Sequence, residues 1–217
     1  MKQVYSYSHL GGEEILMVRY PKLFKEIEEI IELIPAIEKT KKSKEKSKKG
    51  RLLYSPSKLN NLFKKEFSKR GWNEGRDYFD IELPNYSHIV KGSYKQWDFL
   101  KEDVIVEVQF GKYAFMFYDL AKFQYFFNQG VIQLGIEIVP CHILHNEMSS
   151  GVSYGEQLIY DIERIGRNFP SVPVRIILVD MPINSSDYSI EERKEIHNNH
   201  EKKMEEFKKI IAELGII

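Results

Sequence analysis

The chain has 217 residues, of which 42% are hydrophobic and 29% charged, a composition typical of folded globular proteins and too apolar for a disordered chain. Its one cysteine, Cys141, cannot form an internal disulfide, and no apolar run is long enough for a membrane span, so we expect a cytoplasmic protein without a membrane partner. The formal net charge of zero argues against a general nucleic-acid binder.

The N-terminal part of the chain is predicted to be helical. Over 21–34, apolar residues recur every three or four positions between glutamates, which predicts an amphipathic helix. The segment 39–51 is rich in Lys and Ser and has no apolar residue, so we predict a basic mobile loop. A second helix is predicted from Ser57, as its N-cap, to about Arg70, with Gly71 placed to end it.

After the second helix the hydrophobic period changes to that of strands. We predict a strand over 78–83 that Pro84 ends. A hairpin follows, with strands at 95–100 and 104–110 and a three-residue turn at 101–103.

The rest of the chain alternates between helices and apolar strands. We predict an aromatic helix, a strand, a helix, a strand and a charged helix at 114–127, 132–140, 154–165, 174–180 and 190–214. Because strands separated by helices need crossover connections, we predict one α/β domain over 1–217. Its mixed central β-sheet should combine an antiparallel hairpin with parallel strands and be flanked by helices, with 188–217 as a C-terminal helix.

The zero net charge conceals a strongly basic stretch. Residues 39–70 contain thirteen Lys or Arg residues and two acidic ones, which gives a net charge of +11. Such a stretch can neutralise DNA phosphates and gain affinity from counterion release, or it can be a solvated loop and helix face. If it binds DNA, we expect Lys48, Lys49 and Arg51 to be among the contacting residues.

The predicted hairpin carries the residues that point to chemistry. Its second strand is almost wholly apolar, yet it contains Glu107 and Gln109, which project from one face because they are two positions apart. The turn brings Asp98 to the same end of the hairpin. Two carboxylates suit a hard cation such as Mg²⁺, which can activate water and stabilise charge on a phosphate. On spacing alone, a structural interpretation is favoured over a catalytic one: Asp98 would be a turn residue, and Glu107 and Gln109 would lie on the solvent face of an edge strand.

The residues from Asp98 to Phe110 resemble the active-site hairpin of the PD-(D/E)xK nuclease superfamily. The resemblance is specific to the type II restriction endonucleases of the BstYI/BglII branch, in which glutamine replaces the usual lysine within a Glu-Val-Gln-Phe strand. It covers roughly residues 1–180 and extends, in the same order, to 5–10, 43–49, 53–56, 107–113 and 147–154. The chain departs from the pattern in a shortened region between 76 and 96 and in its long C-terminal helix.

The resemblance implies a restriction-endonuclease-like fold and a Mg²⁺-dependent site-specific deoxyribonuclease. Asp98, Glu107 and Gln109 would be the catalytic residues, and the first two would bind Mg²⁺ together with the main-chain carbonyl of Val108. An amide cannot act as a general base near neutral pH, so Gln109 would hold the attacking water by hydrogen bonds.

The resemblance also implies how the DNA sequence is read. Lys112 would contact bases or phosphates, and Ser149, Ser150 and Ser153 would belong to a recognition loop, although Ser153 could instead cap the following helix. The implied site is palindromic with a GATC core, for example RGATCY, and is cut to leave 5′ overhangs. A palindrome requires a homodimer, for which the helix 114–127 is a candidate interface. A cognate methyltransferase is expected genetically but not as a complex.

Two other functions stay open. The chain could be a structure-specific or repair nuclease of the same superfamily, which cuts branched or damaged DNA. It could also be a non-catalytic DNA-binding module whose functional part is the basic stretch 39–70. His197 and His200 lie three positions apart in the C-terminal helix, and we interpret them as an exposed polar face rather than as metal ligands.

Overall fold

The structure is a computed structural model that describes residues 1–166, 168–183 and 190–215. In chain order, its strands are β1 (Lys2–His9), β2 (Lys41–Lys42), β3 (Leu52–Leu53), β4 (Asn73–Ile81), β5 (Val90–Lys101), β6 (Val104–Val108), β7 (Leu134–Pro140) and β8 (Val174–Asp180). Its α-helices are α1 (Gly12–Arg19), α2 (Pro21–Leu33), α3 (Pro56–Lys69), α4 (Tyr113–Asn128), α5 (His142–Asn146), α6 (Gly155–Ile165) and α7 (Ile190–Glu213). None of the helices in the described ranges is long and apolar enough to cross a membrane.

The central sheet is mixed, as the sequence predicts. Its six strands have the order β1-β8-β7-β6-β5-β4, in which β6, β7 and β8 run parallel and the outer strands pair antiparallel. Every residue of the three parallel strands is buried, which explains why they appear in the sequence as nearly continuous apolar runs. The prediction of an α/β fold with a helix-flanked mixed sheet is therefore confirmed.

Helices cover both faces of the parallel strands. On one face, α4 packs on β7 through Phe123 against Gly135, and α6 packs on β7 and β8 through Gly155. On the other face lie α1, α2 and α3, and α3 stacks Phe63 on Phe110. A Cβ at Gly135 would lie 2.4 Å from the Phe123 ring, so only glycine allows α4 to approach the sheet this closely.

The hairpin between β5 and β6 is tighter than predicted. Lys101 pairs with Val104, so the turn contains two residues, of which Glu102 has a φ of 52°. The prediction of a three-residue turn was therefore wrong. A two-residue turn that contains a left-handed residue matches the twist of the two strands. The strand β6 ends at Val108, yet the main-chain amide of Gln109 still donates to Ile138 O in β7.

Several other boundaries differ from the sequence-based prediction. The N-cap of α3 is Ser55, whose hydroxyl accepts from the Lys58 amide, and not Ser57. The strand β4 begins at Asn73 rather than at residue 78. No element was predicted for β1, α1 or α5, since the Tyr-Ser alternation of β1 has no apolar period and α5 is only five residues long. The strand β1 nevertheless pairs with β8 along its whole length.

The basic segment 39–51 contains regular structure. The two-residue strand β2 pairs with β3, and a 3-10 turn spans Lys46–Lys48. Ser43 is buried, its main-chain amide donates to Arg51 O, and its carbonyl accepts from the Gly50 amide. The mobility of this segment stays a prediction, but its backbone has defined hydrogen-bond partners.

The C-terminal helix α7 is attached to the sheet by a buried arginine. Arg193 is fully buried; its guanidinium donates to Glu147 Oε2 at 2.6 Å and to Asp180 Oδ1. His197 Nε2 lies 3.3 Å from Asp180 Oδ2 and is also buried, so its assignment to an exposed face was wrong. Of the predicted C-terminal helix 188–217, residues 188, 189, 216 and 217 lie outside the described residues.

We expect Arg193→Met to destabilise the protein by about 3–5 kcal/mol, because it removes the cation that the buried Asp180 and Glu147 share and leaves Glu147 only Lys39, at 3.6 Å. The free energy of unfolding from urea titration measures this effect. Lys194→Met is the matched control, since Lys194 is the next residue and is exposed. Equal losses for the two variants would contradict this role of Arg193.

Candidate active site

Two glutamates lie side by side on the face of the sheet that α4 covers. Glu107 in β6 pairs in register with Glu137 in β7, and neighbours in register project from the same face. Glu107 is 3% exposed and Glu137 is completely buried. Neither carboxylate oxygen of Glu137 has a hydrogen-bond partner among the described residues. The buried strand β6, which carries the acidic residue Glu107, therefore lies beside another buried strand, β7, that also carries an acidic residue.

The helix α4 adds one acidic and one basic residue to this pair. Lys122 Nζ lies 2.8 Å from Glu107 Oε1 and 2.8 Å from Asp119 Oδ1, and it also donates to Gln96 O at 3.2 Å. Asp119 is 2% exposed, and its Oδ2 accepts from Gln109 Nε2 at 3.0 Å. A single ammonium group thus connects β5, β6 and α4.

Asp98 reaches the same cluster from β5. It precedes Phe99, which pairs with Val106, and this register brings Asp98 beside the end of β6. Its Oδ2 accepts from the Val108 amide at 3.3 Å, and its carboxyl group lies close enough to Glu107 for each to influence the pKa of the other. Asp98 and Glu107 therefore meet in one acidic cluster, which we define as Asp98, Glu107, Asp119 and Glu137, and Gln109 contacts this cluster through Asp119.

Burial dominates the electrostatics of the acidic cluster. It raises the pKa of Glu107 and of Glu137 well above the usual range, and the Lys122 ammonium opposes the shift at both residues. The pKa values of Asp98 and Asp119 are raised by the same cause. Burial lowers the pKa of Lys122, but Glu107 and Asp119 more than offset this and raise it above its ordinary value. Burial therefore favours the uncharged forms of these acids, and the positive charge of Lys122 opposes this effect.

The donor set fits a hard divalent cation. Asp98 and Glu107 can supply carboxylate oxygens, and Val108, which follows Glu107 in the chain, can supply a main-chain carbonyl. Carboxylate and carbonyl oxygens are ligand types that Mg²⁺ prefers. Within the described ranges, no group of three or more His, Cys, Asp or Glu side chains is arranged to hold a metal ion. A cation here would therefore depend on the carbonyl, on water and on substrate oxygens in addition to the two carboxylates.

The residues predicted to contact DNA lie in segments that touch one another. Lys41 Nζ donates to Ser149 Oγ at 2.5 Å, and Lys48 Nζ donates to Met148 O at 2.9 Å. The Ser150 amide donates to the carboxylate of Glu45. The basic segment 39–51 is thus bound to the predicted recognition loop, whereas the side chains of Lys49, Arg51 and Lys112 are exposed.

Ser153 connects that loop to the hairpin. Its amide donates to Gly111 O at 2.8 Å, directly after the strand that carries Glu107. The alternative interpretation of Ser153 as a helix cap was wrong, because the N-cap of α6 is Tyr154 and no side chain forms a capping hydrogen bond there. Ser153 itself is 7% exposed, so its side chain has little open surface in this structure.

The sequence did not identify two residues of the acidic cluster, Asp119 and Glu137, or their partner Lys122. Asp119 and Lys122 lie in the aromatic helix, and Glu137 lies in a strand whose other residues are apolar apart from Gly135 and Pro140. A signal was present, since charged residues within an otherwise apolar segment need a partner. The signal did not say which charges pair, because that depends on how α4 crosses the sheet.

Solved structures show which class of protein has this fold. A crystal structure of restriction endonuclease BglII complexed with a DNA 16-mer matches with a TM-score of 0.66 and 26% sequence identity, and the match covers 85% of this chain and 80% of that chain. A crystal structure of free BglII matches with a TM-score of 0.61 and 23% identity over 85% of this chain and 82% of that chain. The chain therefore has the fold of a restriction endonuclease.

The family follows from the sequence. The family model described as restriction endonuclease BglII/BglIII matches residues 4–179, and the chain belongs to this family. It is thus a site-specific deoxyribonuclease. No curated protein sequence matches the chain significantly. The family match ends one residue before Asp180, so α7 lies outside it.

We expect Glu137→Gln to increase stability relative to the wild type, and more at pH 8 than at pH 5. A carboxyl group whose pKa is raised in the folded state favours folding below its unfolded pKa, and stability is lost as the pH rises through the raised value. Glutamine removes that loss. Urea unfolding at both pH values measures the difference, with the exposed Glu82→Gln as control. A stability difference that does not change with pH would contradict the assignment.

Proposed function

We propose that this chain is a homodimeric, Mg²⁺-dependent type II restriction endonuclease of the BstYI branch of the PD-(D/E)xK superfamily. It hydrolyses phosphodiester bonds in double-stranded DNA at a palindromic site with a GATC core, such as RGATCY, and leaves 5′ overhangs. The observation that carries this proposal is that Asp98 and Glu107 meet in the acidic cluster and that Gln109 contacts the cluster through Asp119. The family supports it, since restriction endonucleases of this kind generally use a divalent metal ion.

In this proposal, Asp98 and Glu107 hold Mg²⁺ together with the Val108 carbonyl. When bound, the ion supplies an activated water and stabilises the negative charge that develops on the phosphate. Gln109 orients the attacking water by hydrogen bonds, because an amide cannot remove a proton near neutral pH. Lys122 stays outside the reaction and balances the charge of Glu107 and Asp119.

DNA contacts are assigned in this proposal to the surface next to the hairpin. The residues we assign to it are Lys48, Lys49, Arg51, Lys112, Ser149, Ser150 and Ser153. Support comes from the hydrogen bonds that join the basic segment to the loop and the loop to Gly111. The BglII structure with the same fold was solved with a DNA 16-mer. Because the side chains of Lys49, Arg51 and Lys112 are exposed, phosphates can reach them without rearrangement of the core.

A homodimer follows from the palindromic site, since each subunit reads one half-site. The helix α4 is the proposed interface, and its exposed aromatic residues support this: Phe115 is 53% exposed and Tyr118 46%. We place the enzyme in the cytoplasm, where its DNA substrate and a cognate methyltransferase encoded with it would be found.

The test is digestion of a sequenced plasmid with Mg²⁺, followed by run-off sequencing of the ends. We expect discrete fragments whose ends map to a GATC-containing palindrome with 5′ overhangs. Glu107→Gln should abolish cutting because it removes a charged metal ligand, while Glu102→Gln, in the exposed turn of the same hairpin, should cut as the wild type does.

Two results would contradict the proposal. A smear, or cutting only of branched DNA, would favour a structure-specific or repair nuclease. Specific DNA binding without cutting, unchanged by Glu107→Gln, would favour a non-catalytic binding module.

A further inference from the structure

One end of the Gln109 side-chain amide is held by a hydrogen bond, and the other end lies beside a glycine. Its Nε2 donates to Asp119 Oδ2 at 3.0 Å. Its Oε1 lies beside Gly111, where an added Cβ would be only 2.4 Å away. The amide therefore has one defined orientation, with the nitrogen towards α4 and the oxygen in the space that glycine leaves.

The chemistry of Asp119 sets this orientation. Its Oδ1 lies 2.8 Å from the ammonium of Lys122, so the carboxylate faces one donor there and can only accept at its second oxygen. The group that faces Oδ2 must therefore be the NH₂ end of the glutamine amide. Asp119 is 2% exposed, and this burial excludes water as a competing donor.

We propose that Asp119 is a positioning residue that turns the Gln109 amide so that Oε1, and not Nε2, faces the reacting water. Water has two lone pairs, and a bound cation would take one of them. A water that donates to Oε1 keeps the other free for the phosphorus, whereas a water that accepts from Nε2 would have neither free. Lys122 anchors Asp119, and Gly111 leaves room for Oε1. The inference rests on the proposed function, because it concerns the same Gln109.

The alternative is that Asp119 merely neutralises Lys122 in the core. In that case its effect on cleavage would not depend on Gln109. The two roles are separated by Asp119→Asn, which hardly changes the volume of the side chain. Lys122 would keep the asparagine oxygen, so the asparagine NH₂ would face Gln109, and the glutamine amide would have to rotate by half a turn.

The experiment measures single-turnover cleavage of a duplex that carries the site mapped for the wild-type protein. We expect Asp119→Asn to lower the rate on the order of 100-fold, as a misplaced reacting group does, with the affinity for the duplex in Ca²⁺ unchanged. Asp77→Asn is the matched control: Asp77 also accepts from α4, through Tyr125, but makes no contact with Gln109 among those described. This control should cleave at the wild-type rate.

A double-mutant cycle shows whether Asp119 acts through Gln109. We expect Gln109→Ala and the double variant Gln109→Ala/Asp119→Asn to cleave at the same rate, because without the amide there is nothing to orient. Gly111→Ala displaces Oε1 by steric contact and should lower the rate even if Asp119→Asn proves unstable.

Three outcomes overturn the inference alone while the wild type cuts at a discrete site. They are a wild-type rate for Asp119→Asn, additive losses in the double variant, and a wild-type rate for Gly111→Ala. A wild-type protein that cuts no duplex overturns the proposed function, and this inference with it.

Discussion

The ammonium group of Lys122 is the interaction on which the site depends. Its Nζ lies 2.8 Å from one oxygen of Glu107 and 2.8 Å from one oxygen of Asp119, beneath α4 and away from water. Buried carboxylates without a cation would be protonated or would destabilise the fold by several kcal/mol. Lys122 therefore allows acidic groups to gather inside the protein, at the place where we propose that a metal ion and a phosphate bind.

The same ion pair fixes the arrangement of the surrounding elements. Lys122 also donates to Gln96 O in β5, and this hydrogen bond links the hairpin to α4. The helix α4 begins directly after Lys112, whose side chain is exposed. The preceding residue, Gly111, accepts a hydrogen bond from the Ser153 amide in the predicted recognition loop. On the far side of that loop, Arg193 in α7 binds Glu147. The segments that we propose to be catalytic and to contact DNA are thus connected to one another, and α7, which lies outside the family match, contributes to this connection.

The sequence was informative wherever a local pattern determines the structure. The alternation of apolar strands and helices predicted the mixed sheet, and polar residues within an apolar strand pointed to Glu107 and Gln109. It was uninformative where a partner comes from a distant segment. Asp119 reads as one charge in an aromatic helix until α4 is placed on the sheet, and Arg193 reads as part of a charged, solvated helix. The edge strand β1 was not predicted, because its own sequence has no apolar period. It forms a strand by pairing with β8, which lies at the other end of the family match.

The central claim is that the acidic cluster, with Lys122 beneath it, binds the catalytic cation at Asp98, Glu107 and the Val108 carbonyl. A crystal structure of the protein with its mapped duplex and Mn²⁺, with the metal located by anomalous scattering, measures this directly. The account predicts an anomalous peak within about 2.5 Å of all three groups and of a phosphate oxygen. A peak coordinated by other residues, or Asp98 and Glu107 facing separate surfaces, would contradict it.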